Sequence, residues 1–175
     1  MKDGIDASII AKGIKGGNIE VLLQWIDTNK QKLYRMCWSY LKNNTDVEDV
    51  FHNTIIKVVE NIDKLKNEQA FERWFVSILL NECRKILRDR RKVQPLSYIE
   101  LSDTACSPEE QAENLDLING LKNINDEYKE LIILKYCSGY SQKEIAEILH
   151  MPLGTVKTKI FRGLRRLREI LRREA

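Results

Sequence analysis

The side chains whose types and spacing point most directly to a chemistry lie between Ser141 and Arg173, and that chemistry is polyanion recognition. Lys157, Thr158, Phe161, Arg162 and Arg165 share one side of a helical wheel. Val156, Ile160, Gly163, Leu164 and Leu167 share the other, at i, i+4, i+7, i+8 and i+11. Cations hold phosphates or donate to guanine edges, a threonine hydroxyl contacts a base edge, and an aromatic packs on methyl or sugar. Core packing alone does not require an aromatic among the cations of an outward face. Just upstream, Ser141 and Glu144 have the spacing of a capping box. Ile145, Ala146, Ile148 and Leu149 follow with one apolar face. His150-Met151-Pro152 interrupts this helix, since Pro152 is excluded from a helix interior but suits the first position of a new one. The pair reads as a helix–turn–helix whose second member lies in the DNA major groove. An ordinary helical hairpin with a solvated basic face is the competing reading.

Two further polar sets stand in the amino-terminal half. In a helix expected from Ala70 to Arg91, Arg73, Ser77, Asn81, Arg84, Lys85 and Arg88 lie beside Phe71, Trp74 and Phe75. Cations next to aromatics suit a single strand, because aromatics stack unpaired bases while cations follow phosphates. Core packing is the default role of each aromatic taken singly, and Glu82 is the poor fit on the apolar stripe. The other set, Asp46, Glu48, Asp49, His52 and Asn53, opens a helix running to about Ile62, where Thr45 and Glu48 have capping-box spacing. It reads equally as a well-capped core helix and as one that adds a partner-binding face. An enzyme holding a metal on Asp46, Glu48 and Asp49 is the remote alternative, because capping and docking account for these acids and no catalytic cluster converges elsewhere. The four cysteines, Cys37, Cys83, Cys106 and Cys137, are dispersed, with no CxxC pair and neither His52 nor His150 at ligand spacing. Cys37, Cys83 and Cys137 are expected as small buried thiols; no catalytic residue, metal or cofactor is expected.

The elements that must position these side chains are helices. Strand signals are almost absent, and no proline precedes Pro95. A short helix from Asp6 to Ile14 ends at Gly16-Gly17, and Asn18 caps the next, which buries Val21, Leu22, Trp25 and Ile26. A successor carries Leu33, Met36, Cys37, Tyr40 and Leu41. From Val93 the composition turns to proline, serine and acid, and the six acids between Ser97 and Asp116 face no Lys or Arg. About 15 extended residues reach roughly 50 Å, more than one duplex turn of about 34 Å. Ser107-Pro108-Glu109-Glu110 starts a helix bearing Leu115, Leu117, Ile118 and Leu121. Asn125 caps another carrying Tyr128, Leu131, Ile132, Leu134 and Tyr136. The fold class is therefore all-α: two small helical bundles, 1–92 and 108–175, joined by a flexible acidic linker, 93–107. Net charge is only +3, but two basic clusters separated by an acidic connector suggest a polyanion touched at two places. No apolar run reaches the roughly 20 residues of a membrane span, so no membrane insertion is expected. The amino terminus lacks a signal-peptide core, so the expected location is cytoplasmic.

In this order the features resemble the extracytoplasmic-function (ECF) class of bacterial sigma factors over nearly the whole chain. Tyr140 to Ala146 with Gly154-Thr155-Val156-Lys157-Thr158-Lys159-Ile160-Phe161-Arg162 is similar to sigma region 4, whose recognition helix reads the upstream “−35” element. The resemblance implies upstream contacts by Thr155, Lys157, Thr158, Lys159, Phe161, Arg162, Arg165 and Arg166. His150 stands where such motifs commonly have glycine, and histidine is among the less penalised alternatives if that residue is left-handed. Asp46 to Thr54 resembles the region 2 segment that docks on the polymerase, with His52-Asn53 in place of the usual Gln-Glu. It implies a docking set of Asp46, Val47, Glu48, Asp49, His52, Asn53 and Ile56. Phe71-Glu72-Arg73-Trp74-Phe75 through Asn81 and Arg88 to Arg91 resembles the part of region 2 that opens and captures the “−10” element, the loop Lys64 to Gln69 holding a flipped base. The implied set is Lys64, Asn67, Arg73, Trp74, Ser77, Asn81, Arg84 and Arg88; Lys85 stands where an acid or amide is common. The implied function is a dissociable, non-enzymatic initiation subunit that binds core RNA polymerase (β′ clamp and β flap) and promoter DNA. The acidic linker would thread toward the active-site and RNA-exit channels or serve as a plain solvated tether. An anti-sigma factor, soluble or membrane-anchored, is a further implied partner. The rival is a stand-alone helix–turn–helix transcriptional regulator that binds duplex without polymerase.

Overall fold

A computed structural model describes residues 6–93 and 124–174, with side chains over 6–90 and 124–172. Among the described residues every regular element is helical, as an all-α chain requires. The chain divides into two compact units, 1–100 and 101–175. The expected linker beyond Val93 and the helix expected from Ser107 lie outside the described residues.

In the first unit α1 (Ala7–Lys15) is capped by Asp6, whose carboxylate accepts from the Ser8 N–H at 2.8 Å. That bond holds the Asp6 carboxyl below its ordinary value. The cap is thus intact above the ordinary carboxylate range and lost only as pH falls through the depressed value. Ile10, Ala11 and Ile14 bury its apolar face. Gly17, at φ +83°, closes the helix in the left-handed region that glycine enters freely.

The next two expected helices are one, α2 (Glu20–Leu41). The polar stretch at Thr28-Asn29 does not break it, because both side chains turn back to accept the helix geometry: the Thr28 hydroxyl donates to the Gln24 carbonyl and the Asn29 amide to the Trp25 carbonyl. Asn18 accepts from the Glu20 N–H at its start.

The third helix, α3 (Asn44–Asn61), begins earlier than the expected capping box allows. Asn43, with extended φ −148° and ψ 126°, is the cap and accepts from the Asp46 N–H, so Thr45 lies within the first turn. Val47, Val50, Thr54 and Val58 form its buried stripe. Two short 3₁₀ turns, Ile62–Lys64 and Glu68–Ala70, lead into α4 (Phe71–Val93).

Trp25 meets Phe71 and Phe75 edge-on at 5.2 and 4.9 Å, which anchors α2 on α4. Phe75, Val76, Leu79, Leu80 and Cys83 complete the α4 side of the core. Glu82 is buried there because the Lys57 ammonium of α3 donates to its carboxylate. Cys37 of α2 shares a hydrogen bond with Cys83 of α4. That bond, with burial, pushes the Cys37 thiol far up, so it stays protonated and unreactive.

In the second unit Asn125 caps α5 (Asp126–Ile132) through the Glu127 N–H. The helix then widens into a π-turn, Ile133–Cys137, where Ser138 donates to the Ile133 carbonyl at 3.0 Å. The extra residue in that turn puts Ser138 beneath Ile133 and rotates Tyr136 and Cys137 to the surface. The expectation that Cys137 is buried is therefore corrected: Cys137 is exposed, and Tyr136 beside it is 53% exposed. Next come α6 (Gln142–Ile148) and α7 (Leu153–Glu174). α7 packs on α5, burying Val156, Ile160, Gly163 and Leu167 of the expected stripe and leaving Leu164 half-buried.

Candidate nucleic-acid interface

The helix–turn–helix is built by local chemistry. Ser141 and Glu144 form a reciprocal capping box: Ser141 Oγ accepts from the Glu144 N–H at 3.2 Å and the Glu144 carboxylate from the Ser141 N–H at 2.8 Å. His150 is left-handed at φ +52° and turns the chain between the helices. Pro152 supplies the carbonyl that accepts from the Val156 N–H. It therefore stands one residue ahead of the first helical position, where its missing N–H still costs nothing.

With the apolar stripe of α7 spent on α5, the opposite arc presents Lys157, Thr158, Phe161, Arg162 and Arg165, all exposed. Phe161 is 68% exposed, which no internal packing explains. Among the described residues Lys157, Arg162 and Arg165 carry no ion pair, so their charges face outward. The remaining expected contacts are differently placed. Thr155 is half-buried, and the Lys159 ammonium turns back to the Glu127 carboxylate of α5 at 2.7 Å. Arg166 pairs with Glu169 at 3.1 Å. The Thr158 hydroxyl donates to its own helix at the Gly154 carbonyl. Leu153, 38% exposed, forms an i, i+4, i+8 ridge with Lys157 and Phe161. It escaped the sequence reading, although that spacing to Phe161 would have revealed it.

On α4, Arg73, Ser77, Asn81, Arg84 and Arg88 make one ridge at i, i+4, i+8, i+11 and i+15. Arg84 Nη1 donates to Asn81 Oδ1 at 2.7 Å, so the amide and guanidinium are held as a pair. Ser77 is buried within the ridge and Trp74 half-buried beside it, its ring 6.3 Å from that of Phe71. Lys64 and Asn67 are exposed on the loop; Lys64 donates to Asn61 at 2.5 Å and Asn67 caps the second 3₁₀ turn through the Gln69 N–H. Arg90, within the run Arg88 to Arg91, pairs with Asp46 and donates to the Leu41 carbonyl at 3.3 Å.

On α3, Glu48, Asp49, His52, Asn53 and Ile56 share the exposed arc opposite the core, Ile56 being 44% exposed. Asp46 is held by Arg90, and Val47 is fully buried. The expected docking residues thus split into five on the surface and two that hold the fold. Among the described residues no group of His, Cys, Asp and Glu could hold a metal ion.

Three outward faces, acidic on α3 and basic on α4 and α7, have the chemistry of a helical nucleic-acid-binding protein. Comparison with known proteins narrows the class. The family model “Sigma-70 region 2” matches residues 25–93, and “Sigma-70, region 4” matches residues 115–167. The ECF RNA polymerase sigma factor SigW of Bacillus subtilis is 30% identical, over 92% of this chain and 94% of its own length. RNA polymerase sigma factor SigV of the same organism is 29% identical over 88% and 93%. Among solved structures, CnrH, in complex with the cytosolic domain of CnrY, shares the fold at a TM-score of 0.77 and 23% identity, covering 98% of this chain and all of that one. The sigma factor RpoE, solved with the anti-sigma factor NepR from Bartonella quintana, matches at 0.71 and 25%, covering 86% and 96%. The chain belongs to the ECF class of the sigma-70 family of RNA polymerase sigma factors. Its function is that of a sigma factor in transcription initiation, in a family whose members are not enzymes. The matched region 2 leaves the stand-alone regulator without support.

Proposed function

We propose that this sigma factor docks on core RNA polymerase through the exposed face of α3, captures the non-template strand of the “−10” element with α4 and the loop before it, and reads the “−35” element with α7. One observation carries the reading: Glu48, Asp49, His52, Asn53 and Ile56 remain exposed on one arc although α3 already buries a complete stripe. A carboxylate–amide face ending in an isoleucine suits a basic protein partner and would repel DNA. The basic ridge of α4 and the Lys157–Phe161–Arg165 arc suit phosphates, unpaired bases and groove edges. Domain roles follow the expected division: 1–92 for polymerase and strand capture, 93–107 as tether, 108–175 for the duplex. Strand capture unstacks bases at a few kcal/mol each, offset by contacts in the loop and by the polymerase itself.

Such work is done in the bacterial cytoplasm, and no described helix is long and apolar enough to cross a membrane. The solved pairing of RpoE with NepR supports adding an anti-sigma factor that covers these faces. Co-purification of the tagged chain with core polymerase, followed by mapping of transcript starts and run-off transcription, tests the whole reading. Transcription should require both proteins and begin at a shared sequence element. Tight, sequence-specific duplex binding by the chain alone, with no effect on polymerase, would overturn it.

A further inference from the structure

We propose that Lys15 of α1 is a positioning residue for the strand-capturing loop between α3 and α4, and that α1 belongs functionally to promoter opening. The inference deepens the proposed “−10” role of that loop and rests on it. α1 precedes the segment matched by the region 2 family model, which begins at residue 25. Nothing in that match assigns it a task.

The loop is two separate 3₁₀ turns. The first is closed by Leu65 N–H donating to the Ile62 carbonyl at 3.0 Å, the second by Ala70 N–H donating to the Asn67 carbonyl at 2.9 Å. Between them the backbone is extended, with ψ 99° at Leu65 and ψ 102° at Asn67. Ile62 and Leu65 are buried, whereas Lys64, Lys66 and Asn67 project outward. The polar tips that would meet a base therefore sit on or beside the joint between the turns.

Lys15 spans that joint. Its ammonium donates to the Leu65 carbonyl of the first turn and to the Glu68 carboxylate of the second, both at 3.2 Å. Lys12 approaches the other Glu68 oxygen at 3.8 Å. At the far end of α1 the Asp6 carboxylate accepts from the Gln69 amide at 3.2 Å. α1 is itself immobilised by the burial of Ile10, Ala11 and Ile14. Asp6 and Lys12 thus hold only the second turn to α1, whereas Lys15 contacts both turns and ties one to the other. A pocket that distinguishes bases needs its walls held to a fraction of an ångström. A hinged loop would still meet the strand but would discriminate less.

The test compares full-length wild type, Lys15→Met and Lys15→Arg, with Glu68→Gln as a second route to the same staple. Hydrogen–deuterium exchange reads the loop directly. Amides of residues 62–70 should exchange roughly threefold faster or more in Lys15→Met and Glu68→Gln, with 75–83 unchanged and Lys15→Arg near wild type. Run-off transcription with co-purified core polymerase, from the mapped promoter randomised across its “−10” element, reads selectivity. The preference for the favoured bases should fall roughly threefold or more at undiminished core association, and Lys15→Arg should restore it. Unchanged exchange over 62–70 removes the staple; faster exchange with unaltered base preference removes its role in reading the strand. If wild type itself supports no promoter-specific transcription, the proposed function fails first, and the exchange experiment shows separately whether Lys15 orders the loop.

Discussion

Two glycines on α7 occupy opposite situations, and the contrast separates what the fold needs from what an external partner needs. A Cβ at Gly163 would stand 2.9 Å from the Tyr128 Cβ and 3.1 Å from Ile132 Cδ1, so this glycine lets α7 lie against α5. Gly163→Ala should destabilise the chain by about 1–3 kcal/mol through overpacking, read as a lower urea midpoint. Gly154, in the first turn, would place its Cβ in open space. It has negative φ and no internal reason to be glycine. Gly154→Ala should leave the midpoint unchanged or raise stability by up to about 1 kcal/mol, yet lower promoter-dependent transcription if a phosphate backbone approaches that turn closely. Should transcription hold steady as well, Gly154 is not at the DNA. His150 has the same lesson in another form. Its φ of +52° is a backbone requirement, and histidine meets it at some cost where glycine would meet it freely.

At the scale of elements, Arg90 gathers the ends of three helices. It pairs with Asp46 in the first turn of α3, donates to the Leu41 carbonyl closing α2, and sits near the end of α4. Each placement suits the helix dipoles, with a carboxylate at an amino terminus and a cation at carboxyl termini. Asp46 and Asp49, three residues apart, should therefore fail differently. Asp46→Ala should lower stability by about 1 kcal/mol, discounted for partial exposure, with core association retained in the folded fraction. Asp49→Lys should leave the urea midpoint nearly unchanged and weaken core association several-fold, since reversing a docking charge sets like charges together. If both variants lose core affinity to the same degree at equal stability, the division of α3 into a structural and a docking part is wrong.

Much at this scale was legible because caps and periods are local. The Ser141–Glu144 box, the Asn125 cap and the Val156–Leu167 stripe stand where spacing put them. The start of α3 was misplaced because Asn43 and Thr45 are both competent caps two residues apart, and extended backbone at Asn43 decides between them. The single α2 depended on side chains of Thr28 and Asn29 bonding backward, which composition does not disclose. Tyr136 and Cys137 were turned outward by a π-turn, a change of period that a 3.6-residue template cannot register. The ion pairs were hidden altogether: Lys57 meets Glu82 across 25 positions and Lys15 meets Glu68 across 53. Hence the site residues diverted to internal work, Asp46 and Lys159, looked in the sequence like free surface charges.

For the whole molecule, the proposed function couples two recognitions through one chain. Among the described residues each unit buries an apolar stripe of its helices in its own core and exposes separate polar arcs. Once the first unit is held on polymerase, the encounter of α7 with upstream duplex becomes intramolecular and is favoured by effective concentration without any new contact. On that proposal a chain of net charge only +3 should bind duplex weakly alone and select promoters in the complex. Arg162 is the proposed base contact that tests this, being exposed, without an ion pair among the described residues, and beside Phe161 on the outward arc. A bidentate contact to guanine is worth about 1–3 kcal/mol of discrimination. Arg162→Ala should accordingly reduce run-off transcription from the mapped promoter by roughly tenfold, and by far less from one whose upstream element is scrambled. Core association and the urea midpoint should stay at wild-type values. A phosphate-holding residue such as Arg165 should behave otherwise: Arg165→Ala should weaken all templates alike and lessen the salt dependence of binding by about one ion. Loss of core association in step with transcription for Arg162→Ala would place that arginine at the polymerase and leave the upstream element to be read by another part of α7.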